Sequence, residues 1–265
     1  MNTVTSKDGT TIAFDRSGEG PAIILVGGAL QHRAIDPSTA RLAELLAARF
    51  TVCHYDRRGR GDSGDTAPYA VEREVEDLDA LLLEAGGSAF VFGMSSGAVL
   101  ALEAADRGLA ITKLALYEPP FIVDTSRPRL PDDYGERLAE LLAKGRRGDA
   151  VELFMTEAVG VSAETVAPMR GAPFWSAFEG VAHTLLHDDA IMGETTSGAP
   201  LPPARWAAVT IPTLVIDGGA SPAWARTAVA ALVDVLPDAQ RRTLEGQTHQ
   251  VDPELLAPVL GEFFS

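Results

Sequence analysis

The chain is 265 residues long and sets 37 Asp and Glu against 22 Lys and Arg, a formal net charge of −15. Such a length can hold one large domain, or a core with a lid, around a substantial interior. The acidic excess repels phosphate backbones and anionic lipid, so nucleic acid and membrane are not expected partners.

At the N-terminus, Met1-Asn2-Thr3-Val4-Thr5-Ser6-Lys7-Asp8-Gly9 has no apolar stretch of the secretory kind. No segment reaches membrane-spanning length, and a cytoplasmic protein is expected. Residues 10–16 alternate apolar and polar, as in a half-buried strand near a sheet edge. Ala22-Ile23-Ile24-Leu25-Val26 is continuously apolar, the pattern of a strand covered on both faces, and runs into Gly27-Gly28-Ala29. Helical spacing over 38–49 precedes a strand over 51–55. That strand holds the single cysteine, Cys53, which is expected to be a buried inert thiol. The loop Asp56-Arg57-Arg58-Gly59-Arg60-Gly61-Asp62-Ser63-Gly64 leads to an amphipathic helix over 71–85.

A β-prone run from Ser88 then enters Gly93-Met94-Ser95-Ser96-Gly97, and a helix continues through Arg107. Residues 111–117 form another strand, ended by Glu118-Pro119-Pro120. From Phe121 to about Ala208 the rhythm changes to successive helices, predicted over 133–144, 149–158, 163–169 and 173–192. This reads as a helical lid over 122–208, set into a core formed by 1–121 and 209–265. Alternation resumes with a strand over 211–216, a helix over 222–235 and a short strand over 240–244. The loop Glu245-Gly246-Gln247-Thr248-His249 precedes a closing helix over 253–264. Strands alternating with helices imply an α/β fold, a mostly parallel sheet covered on both faces, with ligands beyond the carboxyl ends of its strands. Ala29, Ser95 and Glu118 fall at those ends.

A Gly-x-Ser-x-Gly pentad arises readily by chance; its weight here comes from the strand before it and the helix after it. A serine on so tight a turn has its hydroxyl pushed out of the sheet, beside the free N–H groups of the following helix. To attack a carbonyl it needs a base within hydrogen-bonding reach. Of five histidines, His54 lies inside a strand and His32 follows the glycine loop. His183 and His187 are four apart on a lid helix without an evident third metal ligand. His249 lies in a loop after the last strand, late in the chain, where the order serine, acid, histidine places a base.

Taken together, Gly27-Gly28-Ala29, the Asp56–Ser63 loop, Gly93-Met94-Ser95-Ser96-Gly97 and Gln247-Thr248-His249 resemble the α/β-hydrolase family over nearly the whole core. The resemblance implies an eight-stranded, mostly parallel sheet with an inserted lid, Ser95 as nucleophile and His249 as base. It also implies an oxyanion hole made by the backbone N–H groups of Ala29 and Ser96. The usual acid is missing: after the strand over 211–216 comes Gly218-Gly219-Ala220-Ser221, with serine where most relatives carry aspartate. Glu118 and Asp217 are the two candidates to replace it, with Glu118 favoured. A Ser-Ser-Gly elbow, a glutamate followed by proline and no later aspartate are together similar to zearalenone-lactonase-like hydrolases. Asp252 reads as a helix cap, and the arginine-rich loop as a brace for the sheet end.

The expected activity is hydrolysis of a small apolar or aromatic ester or lactone through an acyl-enzyme, without metal or organic cofactor. A serine-dependent carbon–carbon bond hydrolase would use the same parts, and a hydrolase-like receptor with little turnover is the reading from another class. Leu30, Met94, Phe121, Trp175 and Phe178 are expected to line the substrate pocket, and Phe174 and Trp224 extend the aromatic set. The expected partners are a small-molecule substrate and, at most, a second copy of the chain.

Overall fold

The continuously apolar run Ala22–Val26 (β3) lies in the middle of a sheet, paired in parallel with β4 (Thr51–Tyr55) and β5 (Ala89–Met94). Its side chains alternate between two cores, Ile24 and Val26 to one face, Ile23 and Leu25 to the other. The computed structural model describes residues 1–265, with eight strands in the order β1-β2-β4-β3-β5-β6-β7-β8. Strands β1 (Asn2–Thr5) and β2 (Thr11–Ser17) are antiparallel to their neighbours. The others, β6 (Ile111–Tyr117), β7 (Thr213–Gly218) and β8 (Ala239–Leu244) included, run parallel. The α/β-hydrolase fold expected from the motifs is therefore present.

One face is covered by α2 (Val71–Glu84), α3 (Ser96–Asp106) and α9 (Ala223–Val235), the other by α1 (Pro37–Leu46) and α10 (Pro253–Phe263). Asp36 caps α1 by accepting from Thr39 N at 3.0 Å, and Asp252 caps α10 by accepting from Glu254 N at 2.9 Å. Cys53 is buried, and burial pushes its thiol up to about 12. No helix is long and apolar enough to cross a membrane.

Between β6 and β7 five helices follow one another: α4 (Tyr134–Ala143), α5 (Arg147–Leu153), α6 (Ala163–Met169), α7 (Trp175–Val181) and α8 (Leu185–Met192). They enclose a small core of their own around Leu138, Val151, Val166, Trp175 and Leu185. Three details differ from expectation. Strand β1 was not anticipated, because four largely exposed residues carry no alternation to read. The single helix expected over 173–192 is broken into α7 and α8 by a tight turn at Ala182–Thr184, where Thr184 Oγ1 donates to Val181 O at 2.8 Å. The helix expected over 149–158 ends in a wider π-helical turn, Phe154–Val159, stopped by Gly160 at φ 87°.

Candidate active site

Ser95 sits between β5 and α3 at φ 57° and ψ −128°, a conformation rare for any residue with a side chain. Its neighbours explain how the turn is tolerated. A Cβ on Gly93 would lie 2.5 Å from Gly97 O, and one on Gly97 would lie 2.4 Å from both Val26 O and Gly27 O. The two glycines let α3 pass directly over β5 and the neighbouring β3 loop. Ser95 N donates to Tyr117 O at 2.9 Å, tying the turn to β6.

Immediately after β6, Glu118 is also held at positive φ, 43°, with its N–H donating to Ile216 O at 3.0 Å. Its carboxylate is 2 % exposed and fully used. Oε1 accepts from Gly218 N at 2.8 Å, and Oε2 lies 2.8 Å from His249 Nδ1. The His249 loop is fixed by Tyr117, whose hydroxyl donates to Thr248 O at 2.6 Å. With Nδ1 engaged by Glu118, the other ring nitrogen of His249 is left for the cavity that His249 lines together with Ser95.

Asp217, the rival acid, is turned the other way. It receives Arg241 Nε at 2.8 Å, Arg241 Nη2 at 2.9 Å and Thr243 Oγ1 at 3.0 Å. Tyr117 pairs with Ile216 across β6 and β7, so Glu118 and Asp217 follow at the same level of the sheet. The positive φ of Glu118 takes it out of the strand pleat, and it is Glu118 that meets the imidazole. Ser221, at the place of the usual aspartate, is buried and its hydroxyl has no partner.

Ala29 and Ser96 flank Ser95 on the same cavity wall. The Ala29 N–H makes no backbone hydrogen bond, and that of Ser96, at the first turn of α3, has no intrahelical acceptor. Both positions are held by a buried ionic network. Arg57 binds Glu74 through two bonds of 2.7 and 2.8 Å, and Asp188 of α8 at 2.8 Å. Arg60 binds Asp188 at 2.7 Å and also donates to the carbonyl of Gly28, the far end of the peptide that carries the Ala29 N–H. Ser96 Oγ donates to Asp188 Oδ1 at 2.7 Å. Burial alone would raise the Asp188 pKa, but Arg60 and Arg57 outweigh it and hold the carboxyl below its ordinary value. Arg58 is equally enclosed, bound to Asp77 and Asp8. The arginine-rich loop is thus a brace, as expected for this fold, and its partner Asp188 comes from the helices between β6 and β7.

The cavity has a volume of about 240 Å³ and a mostly apolar lining. Its walls correct the expected substrate residues. Leu30, Met94, Phe121, Trp175 and Phe178 do not line it. Leu30, at φ 62°, turns its side chain into the core of the inserted helices, where Trp175 and Phe178 also pack. Phe121 stacks on Trp206 in the main core, and Met94 packs against the opposite sheet face. Phe174 is exposed, whereas Trp224 does reach the cavity. The walls missed from sequence are Ile122, Tyr134, Phe154, Val159, Met192 and the acidic pair Asp188-Asp189. Two adjacent acids within Leu-Leu-His-Asp-Asp-Ala-Ile-Met, between apolar residues at either end, were the signal available for the last.

The remaining histidines are elsewhere. His54 is buried in β4, as its strand position implied. His32 is not part of the lining, and burial lowers its pKa. His183 and His187 approach Asp65 at 3.7 and 3.9 Å, and the His187 ring stacks on Tyr69 with centroids 3.8 Å apart.

Comparison with known proteins agrees with this architecture. An alpha/beta hydrolase from Sphaerobacter thermophilus DSM 20745 is 61% identical, with a TM-score of 0.92 and full coverage of both chains. The enol-lactonase from Burkholderia xenovorans LB400 has the same fold, with a TM-score of 0.70 at 21% identity over 99% of each chain. An uncharacterized hydrolase of Bacillus subtilis (strain 168), YraK, is 30% identical over 149 residues, 55% of this chain. That match spans only about half, 54%, of the YraK length. A model of the alpha/beta hydrolase family matches residues 23–259, and the chain belongs to that family.

Proposed function

We propose that this hydrolase cleaves a carboxylic ester or lactone of a small apolar or aromatic substrate through a Ser-His-Glu triad. The observation that carries the reading is the 2.8 Å contact between His249 Nδ1 and the buried Glu118 carboxylate, at the cavity that also holds Ser95. Ser95 attacks the carbonyl while His249 takes its proton. Glu118 fixes the ring tautomer and stabilises the imidazolium, and the N–H groups of Ala29 and Ser96 receive the oxyanion. His249 then returns the proton to the leaving alcohol, and water releases the acyl group by the same route.

Apolar walls suit an uncharged acyl or lactone ring. The finer reading, a lactonase of the zearalenone-lactonase-like kind, draws support from the glutamate that follows β6 and contacts His249, and a neighbour of the same fold is an enol-lactonase. The test is direct. Wild-type protein should give a burst of p-nitrophenolate from p-nitrophenyl acetate and a covalent fluorophosphonate adduct on Ser95, both absent in Ser95→Ala. Folded wild-type protein giving neither result would leave a ligand-binding relative of the hydrolases as the better description. A panel of aliphatic and aryl-fused lactones against matched open esters then separates the two substrate classes.

A further inference from the structure

The cavity also carries a charge balance that bears on what can enter it. Its inner chamber shares Leu130, Tyr134, Asp189 and Thr196 with an outer chamber of about 340 Å³, so these four residues line both. The inner lining includes three carboxylates, Glu118, Asp188 and Asp189, and no lysine or arginine. Two of the three are compensated. Glu118 is bound by Gly218 N–H and His249, and Asp188 by Arg57, Arg60 and Ser96.

Asp189 has no such partner. Burial, and then the charge of Asp188 beside it, raise its pKa above the ordinary carboxylate value, with no cation or donor opposing them. Among the arginines of the surrounding insertion, only Arg129 lines either chamber. Arg127 lies over the Trp224 ring, 4.3 Å from its centroid, and donates to the carbonyls of Glu157 and Ala158. Arg129, in the outer chamber, is bound by Asp132.

A substrate carboxylate brought against Asp189 in the inner chamber would lose its water beside an acid and find no positive side chain in the lining to replace it. That cost exists in either protonation state of Asp189: ionised, it repels; neutral, it still offers no counter-charge. A hydroxyl or an onium group would instead gain an acceptor that nothing in the protein occupies. We propose that Asp189 is a specificity-determining residue that admits esters and lactones whose remote end is neutral, hydroxylated or cationic and turns away those ending in a carboxylate. This inference rests on the ester and lactone reading above, and extends it from the reacting bond to the rest of the substrate.

Three p-nitrophenyl esters of equal acyl length, ending in methyl, carboxylate or trimethylammonium, test it. In the wild type, kcat/KM for the carboxylate ester should lie about 30- to 100-fold below that for the methyl ester. In Asp189→Asn the gap should close by about tenfold, and the advantage of the trimethylammonium ester over the carboxylate ester should shrink with it. Equal rates for the methyl and carboxylate esters in the wild type, or a variant that shifts all three by one factor, would overturn the proposal. Calorimetric Kd values for the same esters on Ser95→Ala read the preference without turnover. The predicted order in Kd with no turnover by the wild type would remove the hydrolytic mechanism and keep Asp189 as the selector. Equal Kd values would remove the selector whatever the turnover.

Discussion

Replacing Glu118 by Gln keeps its shape and removes its charge, and the surroundings dictate how the amide must sit. Gly218 N–H needs an acceptor, so the amide oxygen takes the place of Oε1 and the NH2 group faces His249 Nδ1. An Nδ1 that must accept leaves the ring proton on Nε2, and Nε2 is then no longer free to take the proton of Ser95. A wrong tautomer of this kind costs about 10³- to 10⁴-fold in kcat, roughly 4–5.5 kcal/mol of transition-state stabilisation. Asp217→Asn serves as the control. It weakens a bidentate pair whose Arg241 partner is 36% exposed, so about 1 kcal/mol of stability is at stake and kcat should change less than about threefold. Stopped-flow release of p-nitrophenolate gives acylation and turnover separately, and thermal melts on both variants check folding. A larger loss in folded Asp217→Asn than in folded Glu118→Gln would remove Glu118 from the mechanism.

Three further outcomes are expected. Asp188→Asn leaves two buried guanidiniums with Glu74 as their one remaining acid, and should cost about 3–5 kcal/mol in urea unfolding; a loss under 1 kcal/mol would show that the pair tolerates an uncompensated charge. Gly97→Ala drives a methyl to 2.4 Å from two carbonyl oxygens and should lower stability by more than about 2 kcal/mol and abolish Ser95 labelling. The third concerns pH. Burial lowers His187 to about 4, against opposing charges from Glu74 and Asp65, so the unfolded chain binds a proton there that the fold refuses between pH 6.5 and 4. Stability should therefore fall with pH through that window, by roughly 2 kcal/mol at pH 5. His187→Gln should flatten this part of the Tm–pH curve, and an unchanged slope would rule His187 out as its source.

How far the sequence could be read follows from where each signal lives. The apolar runs of β3 and β5 and the pentad around Ser95 are local, and the contacts of Gly93 and Gly97 show why that spacing is obligatory. The identity of the third polar partner was half legible. Glu118 and Asp217 both stand at strand ends, and only the direction of each side chain, one to His249 and the other to Arg241, separates them. The cavity walls were least legible. Aromatic residues such as Trp175 and Phe178 advertise burial, yet a sequence does not say against which surface. The π-helical turn at Phe154–Val159 and the break at Ala182–Thr184 depart from the regular helical facing a sequence implies. Phe154 and Val159 within the turn and Met192 beyond the break line the cavity with Ser95 instead.

The Asp188 network has an engineering consequence. Insertions between β6 and β7 invite exchange between relatives as a route to new substrate ranges, on the assumption that they are modular. In this chain the graft would carry away the counter-ion of Arg57 and Arg60, together with the anchor of the Ser96 hydroxyl. A chimaera that omits a carboxylate at this point should fail in its recipient scaffold before its selectivity can be measured. One that transplants the acid along with its two guanidinium partners has the electrostatic footing to fold.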